Sequence, residues 1–372
     1  MKLYYYTSTD TMRYILGSGD IYATNIRYMN DSEEYTNGLN EIKLLMLDKK
    51  MVQAWITKRG RNDVKISDMK KIFTDKNLKK NRENREFYSI SFCEKNDLLS
   101  QWAIYAKEAG VSIQMDFEEG KKYNFSTQSC NGDEEKKARW SLKPEAVHYF
   151  TKKSMEKRAY NVEADAILDQ LYGEENVDLA EDINDRWQYA SVYVKRYDFY
   201  QEAERRIVFQ PKKSVDAPKI MYRQDKNVLK PYLDIECENG WPIQEIMVGP
   251  GFNQNVVYDS VVHFLNNAKV KNGMKVPDDY IKKIQNYFHS FDLELQKLPR
   301  YKQLKDALDH GYGIREMDLY GTQRILGNQV QSLCNEICNS KEIKRKTKEY
   351  IKNNYFSKCG IIVLKSSIPY IF

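Results

Sequence analysis

A strand-rich pattern runs through the first part of the chain, breaks off, and returns at the end as an apolar strand. It stops near Asn267 and resumes in the last residues, which read GIIVLKSSIPYIF. A closing strand at 361–365 needs a sheet to pair with, and the earlier strands supply one. The pattern therefore predicts one α+β domain formed by 1–267 plus 360–372, with a helical insertion at 268–359.

The composition is that of an ordinary globular protein. The chain has 372 residues, of which 41% are hydrophobic and 30% charged. It contains no apolar run long enough to cross a bilayer, and its first residues, MKLYYYTSTD, lack the basic and apolar regions of a signal peptide. We therefore expect a cytoplasmic protein that has no membrane partner.

Cysteine and histidine are scattered along the chain. None of the six cysteines forms a C-x-x-C pair, and the four histidines stand singly. Structural zinc and catalytic histidine centres usually show such ligands at short, regular spacings. The sequence therefore predicts neither a metal site nor a set of secretory disulfides.

Basic residues gather in two stretches, although the formal net charge is a modest +6. One stretch is 70–85 and the other is 341–352. Clustered lysine and arginine attract polyanions, and aromatic side chains, among them the 28 tyrosines, offer surfaces on which bases stack. The two stretches indicate a nucleic-acid partner. The alternative interpretation is that each is a solvated helix face.

Short motifs stand in a fixed order along the chain. They are LYYYTSTDTMRYILGSGDIY, RYMNDSEEY, SISFCEKNDLLSQWAIYAKEAGVSIQMDF, KRYDFYQEAERRIVF, IMVGP and SSIPY. In this order they resemble a large bacterial family of uncharacterised domains, whose members open L-Y-H-Y-T-S and carry N-D-P-x-E, S-x-W-x-x-Y and E-x-E-x-R. That opening in turn resembles the first motif of ADP-ribosyltransferases of the diphtheria-toxin and poly(ADP-ribose) polymerase type. The resemblance implies a split β-sheet core with flanking helices, and NAD as the substrate.

The resemblance carries over onto particular residues. Tyr5 takes the position of a histidine and Thr7 that of a hydroxyl residue, which in those enzymes hold the adenosine end of NAD. Ser89 and Ser91 match an S-x-S element that braces the nicotinamide pocket. A third strand element, E-x-E, supplies Glu204. The resemblance implies that the residues from all three strands line one cleft.

The E-x-E element suits the cleavage of NAD chemically. Breaking the nicotinamide–ribose bond passes through an oxocarbenium-like state, which a nearby carboxylate, that of Glu204, stabilises. Glu202, on the same face of a predicted strand at 202–209, is placed to accept a proton from the incoming nucleophile. Arg206, on that face again, is a candidate to pair with the pyrophosphate or to fix a glutamate. Arg27 is a further candidate for a phosphate contact.

These inferences favour an ADP-ribosyltransferase that cleaves NAD and transfers ADP-ribose to a macromolecule, with nucleic acid (RNA or DNA) expected as the acceptor ahead of protein. In a bacterial cytoplasm this activity is toxic. By analogy this implies a toxin or phage-defence effector that an antitoxin or regulatory protein restrains.

Two alternatives stay open at this point. One is a non-catalytic module that binds nucleic acid or protein, in which Glu202 pairs with Arg205 or Lys195 on a solvated strand. The other is a metal-dependent nuclease with Asp198, Glu202 and Glu204 as acidic ligands. The sequence pattern lacks the lysine that usually stands beside such an acidic pair.

Overall fold

The computed structural model of the chain has a mixed α+β architecture. It describes residues 1–29, 33–83, 86–106, 110–130, 137–150, 157–172, 179–211, 217–225, 227–267, 355–356 and 362–368. Apart from 355–356, the expected helical insertion at 268–359 lies outside the described residues, and with it the basic stretch 341–352. Among the described helices, none is long and apolar enough to span a membrane.

Strands and helices alternate irregularly along the chain. The strands are β1 Lys2–Thr7, β2 Asp20–Asn25, β3 Tyr88–Cys93, β4 Val111–Asp116, β5 Tyr123–Gln128, β6 Lys137–Leu142, β7 Glu145–Ala146, β8 His148–Tyr149, β9 Val194–Lys195, β10 Glu204–Phe209, β11 Met221–Asp225, β12 Val228–Cys237, β13 Ile243–Val248, β14 Tyr355–Phe356 and β15 Ile362–Lys365. The α-helices are α1 Thr9–Ser18, α2 Glu34–Leu47, α3 Lys49–Arg59, α4 Ile66–Ile72, α5 Asp75–Glu83, α6 Leu99–Tyr105, α7 Lys157–Tyr172, α8 Leu179–Ser191 and α9 Gln254–Asn267. Short 3-10 helices cover Ile26–Tyr28 and Tyr197–Glu202.

The chain divides into two compact units, each assembled from separate stretches. The first unit contains Met1–Asp20, Lys95–Glu119 and Asn239–Phe372, and the second contains Ile21–Glu94 and Gly120–Glu238. Each unit combines helices with a sheet whose strands are mostly antiparallel. This agrees with the α+β class expected from the sequence.

The sheet of the first unit follows the order β14-β15-β13-β4-β1. β1 and β4 pair antiparallel, with Tyr5 opposite Ile113 and Thr7 opposite Val111. β15 lies parallel to β13, and β13 pairs in turn with β4, so the chain end does return to the sheet formed by the earlier strands. The predicted pairing of the closing strand is therefore confirmed.

Helix α1 begins and ends where its flanking residues satisfy the free backbone groups. The Ser8 hydroxyl accepts a hydrogen bond from the Thr11 N–H at 3.1 Å. At the other end Gly19 adopts the left-handed conformation, with φ 81°, and its N–H donates to the Ile15 carbonyl. These two caps define where α1, the helix that connects β1 to β2, begins and ends.

The Asp97 carboxylate joins two parts of the first unit that are far apart in sequence. It accepts hydrogen bonds from the Trp102 indole N–H at 2.9 Å and from the Ser366 hydroxyl at 2.5 Å. The Ser367 N–H and hydroxyl also donate to it, at 3.0 and 3.1 Å. Asp97 itself adopts a left-handed φ of 52°. The carboxylate thus holds the segment after β15 against the start of α6.

The sheet of the second unit contains β10, β3, β2, β12, β5 and β6 in that order, with β7 beside β10 and β11 beside β12. β10 and β3 pair antiparallel with Glu204 opposite Cys93 and Arg206 opposite Ser91. Residues directly opposite each other in such a pair point to the same face of the sheet. This face therefore carries both serines of β3 together with Glu204 and Arg206.

The helices of the second unit enclose a separate apolar core against the sheet, which includes Trp55, Phe73, Trp187 and Val208. α2 and α8 approach each other closely at Gly38. A Cβ at this position would stand 2.3 Å from the Ser191 carbonyl oxygen, so no larger residue fits without a shift of the backbone. This close approach positions α2, whose first residue is Glu34, against α8.

Candidate active site

The predicted strand at 202–209 is shorter in the structure than in the sequence pattern. Glu202 is the last residue of a 3-10 helix, and β10 begins at Glu204. Between them Ala203 adopts a left-handed conformation, with φ 44° and ψ 56°. The two glutamates are therefore not neighbours on one face of a strand, and that prediction is wrong.

The bend at Ala203 is held from both sides. Its N–H donates to the Tyr200 carbonyl at 3.3 Å, which closes the 3-10 helix, and its carbonyl accepts from the Glu94 N–H at 2.9 Å. A non-glycine residue in this conformation costs about 1 kcal/mol or more. Such a conformation occurs where surrounding contacts stabilise it. Because of this bend, the direction of the Glu202 side chain does not follow the alternation of β10.

Lys195 brings the two glutamates together. Its Nζ lies 2.6 Å from Glu202 Oε2 and 3.2 Å from Glu204 Oε2. The side chains are 7% (Lys195), 13% (Glu202) and 8% (Glu204) exposed. The Lys195–Glu202 pair considered from the sequence is thus present, but it is largely buried instead of lying on a solvated strand.

Arg206 fixes Glu204 from the same strand. Its Nε and Nη2 donate to the two carboxylate oxygens of Glu204 at 2.7 and 2.9 Å, a bidentate arrangement. Nη1 donates to the Val192 carbonyl, and Nη2 also pairs with the Glu34 carboxylate. Of the two roles that the sequence suggested for Arg206, contact with a glutamate is the one that the structure contains.

Glu34 completes a cluster of five charged side chains, which we call the buried charge cluster: Glu34, Lys195, Glu202, Glu204 and Arg206. Its carboxylate pairs with Arg206 and lies 3.4 Å from Lys195 Nζ. Glu34 is the first residue of α2, where the helix dipole favours a negative charge. With three carboxylates and two cations, the cluster carries one negative charge in excess.

The cluster shifts the pKa values of its two neighbouring glutamates in opposite directions. Burial would raise the pKa of Glu204, but Arg206 and Lys195 outweigh it and hold that pKa well below the ordinary value. Burial raises the pKa of Glu202, and Lys195 offsets this only in part. Glu204 is therefore ionised throughout the physiological range, whereas Glu202 takes up a proton more readily.

The main chain at Glu204 is held by the segment around β8. The Glu204 N–H donates to the Tyr149 phenolic oxygen at 2.7 Å, and the Glu204 carbonyl accepts from the Val147 N–H at 3.0 Å. Burial, and next the charge of Glu204, raise the pKa of Tyr149 well above its ordinary value, so the phenol stays neutral. The first residue of β10 is thus fixed at the backbone as well as at the carboxylate.

The inner side of the buried charge cluster is closed. A cavity of about 10 Å³ remains beside Glu34 and Arg206, lined also by Ile26, Met29 and Val192. This is room for about one water molecule.

The remaining predicted residues fall into two groups. Ser91 lies opposite Arg206, and Ser89 lies opposite Val208 on the same face. Arg27 is exposed in the 3-10 helix Ile26–Tyr28, with its guanidinium carbon 5.9 Å from the centre of the Tyr28 ring. It is not part of the cluster.

Tyr5 and Thr7 belong to the first unit and lie on β1, whereas Ser89 and Glu204 belong to the second unit. Tyr5 and Thr7 share one face of β1, as the sequence alternation predicts. That all four line one cleft stays a prediction.

Sequence reasoning missed Glu34 as a site residue and treated Lys195 as an incidental partner. Both were nevertheless inside the motifs that it singled out. Glu34 ends the segment NDSEE, and Lys195 opens KRYDFYQEAERRIVF. The signal that could have identified both residues is their charge. If the Glu-x-Glu-x-Arg segment is buried, its charges require oppositely charged partners elsewhere in the chain.

The geometry defines a buried, charged site. In the part of the chain that the structure describes, no three His, Cys, Asp or Glu side chains are grouped so as to hold a metal ion. The Lys195 ammonium lies close to all three carboxylates of the cluster, at 3.4 Å from Glu34, 2.6 Å from Glu202 and 3.2 Å from Glu204. The chain matches no protein-family model, no curated protein and no solved structure.

Proposed function

We propose that the protein is an ADP-ribosyltransferase that cleaves NAD, with Glu204 and Glu202 as its carboxylate pair. The observation that supports this is the pair itself: two glutamates share one lysine, and their pKa values move apart. Environments that separate the pKa values of neighbouring carboxyl groups are the usual basis for giving them different roles.

Glu204 is the electrostatic residue in this proposal. When the C1′–N bond of NAD breaks, its electron pair leaves with nicotinamide and positive charge develops on the ribose. A carboxylate that stays ionised stabilises that charge. Arg206 and Lys195 keep Glu204 ionised and fix its orientation, because both donate to its oxygens.

Glu202 is the proton-accepting residue. A nucleophile on the acceptor forms the new bond to C1′ with a lone pair, and its proton passes to the Glu202 carboxylate. A carboxyl group whose pKa is raised holds that proton better than an ordinary one does. Its side chain is 13% exposed against 8% for Glu204, which supports giving Glu202 the contact with the acceptor.

The finer points of the proposal come from the family resemblance. They are an ADP-ribosyltransferase-like split sheet, adenosine contacts from Tyr5 and Thr7, nicotinamide contacts from Ser89 and Ser91, and a phosphate contact from Arg27. The proposed acceptor is nucleic acid, RNA or DNA, and the proposed setting is a cytoplasmic toxin or phage-defence effector with a restraining protein partner.

The test is incubation of the purified protein with NAD labelled in both halves, with and without RNA, DNA or protein acceptors. We expect free nicotinamide in every case and labelled ADP-ribose on one acceptor class. EDTA should leave both products unchanged. Magnesium-dependent cleavage of RNA or DNA without nicotinamide release would instead identify a nuclease. Retention of nucleic acid with neither reaction would identify a binding module.

A further inference from the structure

An open groove runs between α2 and α5 in the second unit, and none of its lining residues belongs to the buried charge cluster. Its volume is about 480 Å³. α2 contributes Asn40, Lys43 and Leu44, and α5 contributes Asp75, Leu78, Lys79 and Arg82. The α2 residues are three and four apart and those of α5 follow the same spacing, so each helix presents one face to the groove.

The groove is basic, and its positive charges are held in place. Arg82 Nη2 donates to the Asn40 side chain at 3.1 Å, which fixes the guanidinium at the wall. Lys43 pairs with the exposed Asp75, and Lys79 is exposed. Three cations therefore line a groove that contains one acidic residue.

The α4–α5 segment extends this positive surface. Its described residues from 70 to 83 contain six basic and two acidic side chains. Lys76 and Lys80 lie on α5 and are exposed. A ligand that leaves the groove along α5 thus continues to meet positive charge, as a polyanion of several phosphates requires.

The floor of the groove is apolar. Leu44 and Leu78 both line it, Leu44 with 51% of its surface exposed and Leu78 largely buried. A leucine side chain can neither donate a hydrogen bond to a phosphate nor pair with its charge, but it can pack against the face of an unstacked base. In a duplex the base faces are covered by their neighbours, so this combination of cations and leucine suits a single strand.

We propose that the α2–α5 groove binds single-stranded nucleic acid, with phosphates on Lys43, Lys79 and Arg82 and a base against Leu44. Binding itself is independent of NAD cleavage. The inference rests on the proposed function only in one respect, namely that the bound nucleic acid is the acceptor of ADP-ribose.

The test measures the affinity of a fluorescein-labelled single-stranded RNA of mixed sequence at several salt concentrations. The variant Lys43→Gln/Lys79→Gln should bind about twentyfold more weakly than wild type at about 100 mM salt. The slope of log K against log salt should fall by about 1.4, because two phosphate contacts are lost. Asp75→Asn should act oppositely and strengthen binding by up to about fivefold, because it frees Lys43.

The matched control is Lys122→Gln/Lys219→Gln, which removes two exposed lysines of the same unit that do not line the groove. It should change the affinity by less than about twofold. Glu204→Gln should bind RNA as wild type does, which separates a failure of this inference from a failure of the proposed enzyme. Equal loss in both double variants would overturn the assignment of the groove. Equal competition by a duplex or by polyglutamate would overturn the single-strand assignment.

Discussion

The Glu34 carboxylate at the start of α2 pairs with the Arg206 guanidinium on β10. Arg206 is 2% exposed in its side chain and Glu34 11%, so the pair is shielded from water. It links the first turn of a helix to the strand that carries Glu204. The position of the helix and the orientation of the proposed catalytic carboxylate are therefore coupled.

The two partners of this pair should differ in their importance for stability. Glu34→Gln removes the excess negative charge of the buried charge cluster but leaves Arg206 bonded to Glu204, so we expect a loss of about 1.5–3 kcal/mol. Arg206→Gln leaves three carboxylates with one cation and should cost about 3–5 kcal/mol. Urea denaturation monitored by circular dichroism measures both values. A larger loss for Glu34→Gln would contradict this account of the cluster.

Acid should destabilise the protein partly through Glu204. Its pKa lies below that of the unfolded chain, so the stability it contributes is present above pH of about 4.5 and is lost as the pH falls towards about 2. Glu202 acts in the opposite sense, because its raised pKa favours the folded state at low pH. Denaturation of Glu204→Gln between pH 3 and 7 should therefore show a weaker acid dependence than wild type. An unchanged dependence would mean that Glu204 is not held ionised by its neighbours.

Two glycine-to-alanine changes should have opposite effects on stability. Gly38→Ala places a methyl group against the Ser191 carbonyl and should cost about 1–3 kcal/mol, because α2 and α8 must separate. Gly17→Ala, in the last turn of α1, meets nothing within 4 Å and should stabilise by about 0.4–1 kcal/mol. Thermal unfolding of both variants provides the comparison. A neutral Gly38→Ala would show that this contact does not set the position of α2.

Asp97 should hold the C-terminal segment of the first unit. Asp97→Asn keeps the shape but weakens acceptance from Trp102, Ser366 and Ser367, so a loss of about 1–3 kcal/mol is expected. Hydrogen exchange of residues 362–368 should accelerate. Ser367→Ala, which removes one hydroxyl, serves as the milder comparison. If exchange in this segment is unaltered in Asp97→Asn, the segment is held by other contacts.

The secondary structure was predictable where the local pattern is regular. The apolar run at 361–365 predicts both a strand and its return to the earlier sheet, because a lone apolar strand needs a partner. The same reasoning failed at Glu202. An E-x-E pattern fits a continuous strand equally well. The left-handed bend at Ala203 depends on the hydrogen bond that Ala203 donates to the Tyr200 carbonyl and on the one that it accepts from the Glu94 N–H, and no local pattern encodes these contacts.

The candidate site was predictable in its residue types but not in its partners. Glu204 and Arg206 lie two apart on one strand, and this much follows from the pleat. Their contacts with Glu34 and Lys195 are tertiary, and they depend on how α2 packs against α8 and β9. Burial is also what moves the two glutamate pKa values, and burial is not visible in a charged segment of sequence.

Glu202→Gln separates the two proposed carboxylate roles. It removes the proton acceptor but leaves Glu204 ionised, so slow hydrolysis of NAD should persist while transfer to the acceptor is largely lost. The matched control is Glu94→Gln, which removes a carboxylate from an exposed pair with Arg205 on the neighbouring position of β10. It should behave as wild type in both reactions.

Nicotinamide release by Glu204→Gln tests the central claim most directly. The variant keeps the shape of the side chain and removes its charge, so the rate should fall about a hundred- to thousandfold, as expected for the loss of one preorganised electrostatic group. Circular dichroism must first show that the variant is folded, since Arg206 and Lys195 lose a charged partner. A folded Glu204→Gln protein that releases nicotinamide at the wild-type rate would contradict the proposed function.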